Sequence, residues 1–141
     1  MKTRSVLLLL TLIAGSVLIQ NCNKGPKEPL IGLLMDEYNV ERWAKDTTYF
    51  IENVEKLGGK VICLSANGDP ARQLEQARQL ISRKVDVLVV LPVELGKTAE
   101  IVDLARNAKV GLISYDRLIQ NANVDYYISF DNVKVGELQA D

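Results

Sequence analysis

Val110-Gly111-Leu112-Ile113-Ser114-Tyr115-Asp116-Arg117 is an apolar run that ends in a carboxylate and a guanidinium side by side. A strand buried on both faces of a parallel sheet reads as a continuous apolar stretch, not an alternating one. The polar residues that follow such a strand arrive at the C-terminal edge of the sheet. If the rest of the chain makes that sheet, Asp116 and Arg117 stand where open α/β domains hold their ligands.

The flanking sequence supplies the other parts. Residues 30–35 (LIGLLM) form a second continuous apolar run, stopped by Asp36. A helical period follows, in which Val40, Trp43, Ala44, Thr47, Phe50, Ile51, Val54 and Leu57 share one face. Gly58-Gly59 ends it. Residues 60–65 (KVICLS) are the next strand, with Cys63 as a small buried hydrophobe. Asn67-Gly68 turns the chain, and Asp69 as N-cap with Pro70 in the first helical position starts a helix whose stripe is Leu74, Ala77, Leu80 and Ile81. Residues 85–91 predict a third strand and 94–108 a third helix, with Ile101, Val102, Ala105 and Ala108 inward. Residues 110–115 are the fourth strand and 126–130 the fifth. Asp131-Asn132 opens a last helix with Val135 and Leu138 on one side.

This alternation predicts an α/β fold: a doubly wound, mostly parallel sheet with helices on both faces. Right-handed crossovers bring every strand's C-terminal end to one edge. The loops expected there are 36–42, 66–70, 92–95 and 116–121.

Residues 1–21 read as a targeting segment. Lys2 and Arg4 precede an apolar run over residues 6–19, shorter than the ~20 residues of a comfortable membrane span. Cys22 follows directly. The segment resembles a bacterial lipoprotein signal, in which Cys22 becomes the lipidated first residue and anchors the chain to a membrane. Asn21 stands where a small residue is usual, so a plain cleaved signal is the alternative. Both readings export the protein to the periplasm or cell envelope. Loss of Lys2 and Arg4 takes the net charge from −1 to −3. Residues 22–29, with Gly25, Pro26 and Pro29, are expected to be a tether, and 30–141 one domain. The chain stops at Asp141 inside an uncapped helical stretch, from which the domain is expected to be incomplete.

Composition removes several function classes. There is no histidine, the commonest general base and metal ligand. The two cysteines, Cys22 and Cys63, lack metal spacing. The near-neutral charge carries no nucleic-acid footprint. The loop after the first strand, Asp36-Glu37-Tyr38-Asn39-Val40-Glu41, has no glycine and three carboxylates, and would repel a phosphate. A phosphoacceptor receiver domain would need an aspartate where Leu91-Pro92 stands. No Gly-x-Ser-x-Gly elbow is present. The expectation is a binding protein, not an enzyme, without cofactor or metal.

Recognition of a neutral polar solute fits what remains. A sugar takes carboxylates that accept from two hydroxyls, guanidinium forks that donate to two oxygens, and an aromatic ring for its C–H face. The candidates are Asp116 and Arg117 after the fourth strand, and Arg42 and Trp43 at the start of the first helix. Each has a plainer reading: Asp116 as a turn residue, Arg117 as a solvated charge, Trp43 as core, Arg42 as surface charge beside Glu41.

The stretches 39–46 (NVERWAKD), 65–68 (SANG), 85–90 (VDVLVV), 115–117 (YDR) and 127–140 (YISFDNVKVGELQA) resemble the D-xylose-binding branch of the periplasmic sugar-binding family of type I topology. The resemblance covers residues 30–141 and implies the N-terminal lobe of a two-lobed, hinged protein that closes over one sugar. It implies D-xylose or a related monosaccharide as ligand, delivered to the membrane subunits of an ABC importer. It assigns sugar contacts to Arg42, Trp43, Asp116 and Arg117, and places residues 130–132 at the approach to the first hinge crossing. A sensing role, signalling to a membrane histidine kinase, is the alternative. Family members carry a second lobe, so this chain alone is expected to hold half a site and to bind sugar weakly or not at all.

Overall fold

The computed structural model describes residues 27–140. The signal and lipidation expectations, at residues 1–21 and Cys22, lie outside the described residues. Five strands, Leu30–Met35 (β1), Lys60–Ser65 (β2), Val87–Val90 (β3), Gly111–Tyr115 (β4) and Tyr126–Ile128 (β5), form one sheet in the order β2-β1-β3-β4-β5. Every pairing is parallel, with Leu33 opposite Cys63 on one side and Val89 on the other, and Val89 opposite Ile113. The helices are Glu41–Lys56 (α1), Pro70–Ser82 (α2), Ala99–Ala108 (α3) and Asn132–Ala140 (α4). The strand order reverses between β1 and β3, which makes their C-terminal ends the switch point of the sheet.

Both faces of the sheet are covered, and this explains the unbroken apolar runs. On one face Leu34, Leu88, Val90 and Leu112 pack with Ala77 and Leu80 of α2 and Ile101, Val102 and Ala105 of α3. On the other, Leu33, Met35, Val89 and Leu91 pack with Trp43 of α1, and Phe50 lies against them. Burying each of the larger side chains contributes roughly 1.5–3 kcal/mol. Gly32 lets α2 approach β1 closely: a Cβ there would lie 2.9 Å from side-chain carbons of Leu80 and Leu88.

The start of α2 follows the sequence reading. Asp69 accepts from the N–H groups of Ala71 (2.8 Å) and Arg72 (3.2 Å), with Pro70 in the first turn. Elsewhere the structure differs. The third helix begins at Ala99, not at Glu94; residues 94–98 form turns in which the Thr98 hydroxyl donates to the Glu94 carbonyl (2.6 Å). Gly96 lies within them, and a glycine weakens a helix there. The third and fifth strands are shorter than expected, and Leu57, expected inward, is exposed at the end of α1.

Residues 27–29 are not a free tether. The Asp86 carboxylate accepts from the Leu30 N–H (2.9 Å) and pairs with Lys27, and the Lys60 N–H donates to the Pro29 carbonyl (2.8 Å). The chain therefore enters at the N-terminal edge of the strands, opposite the edge expected to hold ligand. At the other end, α4 buries none of its residues, and Tyr126, Phe130 and Leu138 are exposed. Among the described residues no helix is long and apolar enough to cross a membrane.

Candidate functional site

The loop after β4 is folded by one buried hydroxyl. Ser114 Oγ donates to the Arg117 carbonyl (2.6 Å) and accepts from the Ile119 N–H (3.0 Å). The Arg117 N–H returns to the Tyr115 carbonyl at 2.7 Å, closing a γ-turn around Asp116, whose φ is +61°. That region is uncommon for a side-chain-bearing residue, and aspartate is among those that enter it most readily. The strain is held from β5: the Asp116 N–H donates to the Ile128 carbonyl (2.8 Å), and its carbonyl accepts from Ser129 Oγ (2.9 Å) and the Tyr127 hydroxyl (3.2 Å). Strained residues held this firmly cluster at functional sites.

The turn sends the two neighbouring side chains apart. Arg117 reaches into the switch point, where its Nη1 donates to Asp36 Oδ2 at the end of β1 (2.9 Å) and to the Pro92 carbonyl beyond β3 (3.1 Å). Its guanidinium lies over the Trp43 ring, 4.7 Å from the centroid. The Asp116 carboxylate turns to α1 and pairs with Arg42 Nη2. Arg42 also lies 3.6 Å from Asp46 and stacks on the Phe130 ring at 4.4 Å. The Tyr115 hydroxyl donates to Asp46 (2.9 Å); burial first, and this bond second, push its pKa up to about 12.

All four residues named from the sequence thus meet at one edge. Two of the plainer readings are sharpened. Arg42 is a half-exposed charge, as its place beside Glu41 suggested, but its partners are Asp116 and Asp46, while Glu41 binds Lys45. Trp43 is core that also supports an arginine: the residue is 7% exposed, and what reaches the surface is the Arg117 guanidinium stacked on it. Exposed aromatic rings at this edge are Phe130 at 50%, Tyr127 at 45% and Tyr38 at 41%.

Four participants were missed: Asp36, Asp46, Tyr115 and Phe130. Asp46 carried a signal, since it lies four residues after Arg42 on a helix. Asp36 carried the same signal as Asp116, a carboxylate that ends a buried apolar run, but was read only as the stop of that run and as part of an acidic loop. Cys63 packs as expected, half-buried, with burial raising its thiol pKa; its sulfur lies 2.9 Å from the Tyr38 hydroxyl.

The edge can form hydrogen bonds and stack. Among the described residues no three His, Cys, Asp or Glu side chains gather as a metal set. A depression of about 290 Å³ near Arg106, Gly111 and Asp125 opens at the opposite edge. Two of its polar side chains are engaged within the fold, Asp125 by the Leu112 N–H and Arg106 by Asp103 and the Asn123 carbonyl.

Residues 31–141 match the family model described as periplasmic binding protein domain. The chain is 42% identical over 140 residues to the D-xylose-binding periplasmic protein of Escherichia coli (strain K12) and 40% identical to that of Haemophilus influenzae. These matches cover 99% of this chain but only 42% and 41% of those proteins, so the chain spans about two fifths of their length. Among solved structures, a carbohydrate transporter solute-binding protein from Chloroflexus aurantiacus in complex with D-glucose superposes with a TM-score of 0.75 at 34% identity, over 82% of this chain and 34% of that one. An ABC transporter solute-binding protein from Clostridium phytofermentans with bound β-D-glucose gives 0.74 at 31%, over 78% and 34%. With its parallel sheet and this match over residues 31–141, the chain belongs to the periplasmic binding protein domain family.

Proposed function

We propose that this chain is the N-terminal lobe of an exported D-xylose-binding protein that serves an ABC importer. The observation that carries the reading is the meeting of Arg42, Asp116 and Arg117 at one strand edge, in a chain 40–42% identical to D-xylose-binding periplasmic proteins. The mechanism is binding, with no bond made or broken. Asp116 accepts from sugar hydroxyls, Arg42 and Arg117 donate to sugar oxygens, and Phe130 offers an apolar face. The Arg42–Asp116 pair is open to solvent on the arginine side, 48% exposed, so hydroxyls can insert beside it. A second lobe closing on the open face would supply the remaining contacts and exclude water. Lipidation of Cys22 would hold the lobe at a membrane through the edge opposite the sugar, where Lys27 is pinned.

A thermal-shift panel of pentoses and hexoses tests the assignment. Sugar is used at high concentration, because stabilisation grows as RT ln(1 + [L]/Kd) and a single lobe binds weakly. D-xylose is expected to raise the unfolding midpoint more than D-glucose or D-ribose. Stabilisation by either of those with none by D-xylose overturns the substrate.

A further inference from the structure

Asp36 is an ionisable group in a nearly closed place. The residue is 7% exposed, and its carboxylate faces the guanidinium of Arg117 across 81 residues of chain. Its backbone is fixed as well: the carbonyl accepts from the Gly68 N–H and from Ser65 Oγ, both at 3.3 Å, which ties the end of β1 to the end of β2. The second acceptor for Arg117, the Pro92 carbonyl, is equally constrained. Gln73, 1% exposed, donates to the Leu91 carbonyl (2.8 Å) and accepts from the Val93 N–H (3.1 Å), gripping both sides of Pro92.

A guanidinium has five N–H donors in a rigid plane. Here both acceptors engage Nη1, and the Trp43 ring supports the face of the plane. Among the described residues Nε and Nη2 have no hydrogen-bond partner. Those two nitrogens carry parallel donors, the arrangement that binds two adjacent oxygens at once.

Resting on the sugar-binding reading above, we propose that Asp36 is a positioning residue: with the Pro92 carbonyl it locks one edge of Arg117 onto Trp43, so that the opposite edge presents a preset donor pair to two vicinal hydroxyls of a monosaccharide. A free arginine would lose side-chain freedom on binding, and that cost is met before the ligand arrives. Asp36 itself touches no sugar.

Trp43 is the only tryptophan of the 141-residue chain, so its emission reports on the guanidinium above it. The test compares Asp36→Asn, Asp36→Glu, Arg117→Ala and, as a control, the half-buried neighbour Glu37→Gln in the full chain, without and with D-xylose. Asp36→Asn is expected to shift Trp43 emission to the red as Arg117→Ala does, and to weaken D-xylose binding roughly tenfold to a hundredfold, the range of one lost charge-assisted hydrogen bond. Asp36→Glu is expected to recover much of both, and Glu37→Gln to change neither. NMR of the unaltered chain is expected to show an Arg117 guanidinium held against rotation. Unaltered emission in Asp36→Asn, or a freely rotating Arg117 guanidinium in the unaltered chain, overturns the proposal. If the unaltered chain, with half a site, binds no monosaccharide, emission and NMR still decide whether Asp36 holds Arg117, and a failure of that hold overturns the positioning role whatever the ligand.

Discussion

Two arginine clusters share the C-terminal edge of the sheet, built from the same three parts yet set at different depths. In the inner one, Arg117 pairs with Asp36 and stacks on Trp43; in the outer one, Arg42 pairs with Asp116 and stacks on Phe130. They interlock through the sequence, since Arg42 adjoins Trp43 and Asp116 adjoins Arg117. The inner side chains are 35% and 10% exposed for Arg117 and Asp36, against 48% and 15% for Arg42 and Asp116. The two rings differ most, at 7% for Trp43 and 50% for Phe130. The inner cluster is thus part of the fold, bound to the ends of β1 and β3. The outer one leans on α1 and on the stretch after β5, which itself is scarcely buried. The lesson is a difference in anchoring: the inner arginine is held among buried partners, and the outer one among partners nearer solvent.

Removing the two supporting rings should expose this difference most. Trp43→Ala takes a large buried side chain from the core and is expected to cost about 3–5 kcal/mol, measured by urea denaturation. Phe130→Ala should cost well under that, because its ring is half in water. Equal costs would erase the distinction between the clusters.

The arginines themselves give a smaller, sharper test. Arg117→Ala strands a buried carboxylate at Asp36 and is expected to cost about 1–3 kcal/mol of stability. Arg42→Ala removes an exposed pair and should cost no more than about 1 kcal/mol. Both should weaken sugar binding, so affinity and stability separate at Arg42 and move together at Arg117. Denaturation read beside calorimetric titration with D-xylose checks this.

The smallest effect is a pH dependence beneath the outer cluster. Burial, and then the bond to Asp46, raise Tyr115 to about 12 from its ordinary value of 10. The fold therefore favours the neutral phenol. That contribution is fully present below pH 10 and is lost as pH rises through 12. The difference between ultraviolet titrations of the unaltered chain and Tyr115→Phe isolates the group. Asp46→Asn should bring the midpoint down toward 10, and a midpoint already at 10 would remove Tyr115 from the network.

The same depth difference governs what the sequence revealed. The runs 30–35 and 60–65 gave strands with the observed bounds, because a sheet covered on both faces needs unbroken apolar stretches. Asp116 and Arg117 stood out because polar residues after such a run must emerge at one edge. The γ-turn that splays them apart left no such mark; it depends on Ser114 and on β5. Nor did the Asp36–Arg117 pair, whose members meet only once β1 and β4 flank β3. Trp43 on an apolar stripe looked like core or site, and no periodicity could show that it is the floor under an arginine. At 94–98 the helical pattern ran on through Gly96, but local turns took those residues.

The central claim is that the C-terminal strand edge, around these two clusters, is where a monosaccharide sits. Heteronuclear NMR of the 141-residue chain, titrated with D-xylose to millimolar concentrations, tests it directly. The account predicts weak, saturable shifts concentrated at the Trp43 indole, the Asp116 and Arg117 amides, the Arg117 Nε–H and the Arg42 side chain, with the Arg106–Asp125 edge unmoved. Shifts centred on that opposite edge, or no shift at either arginine at saturating sugar, would contradict it.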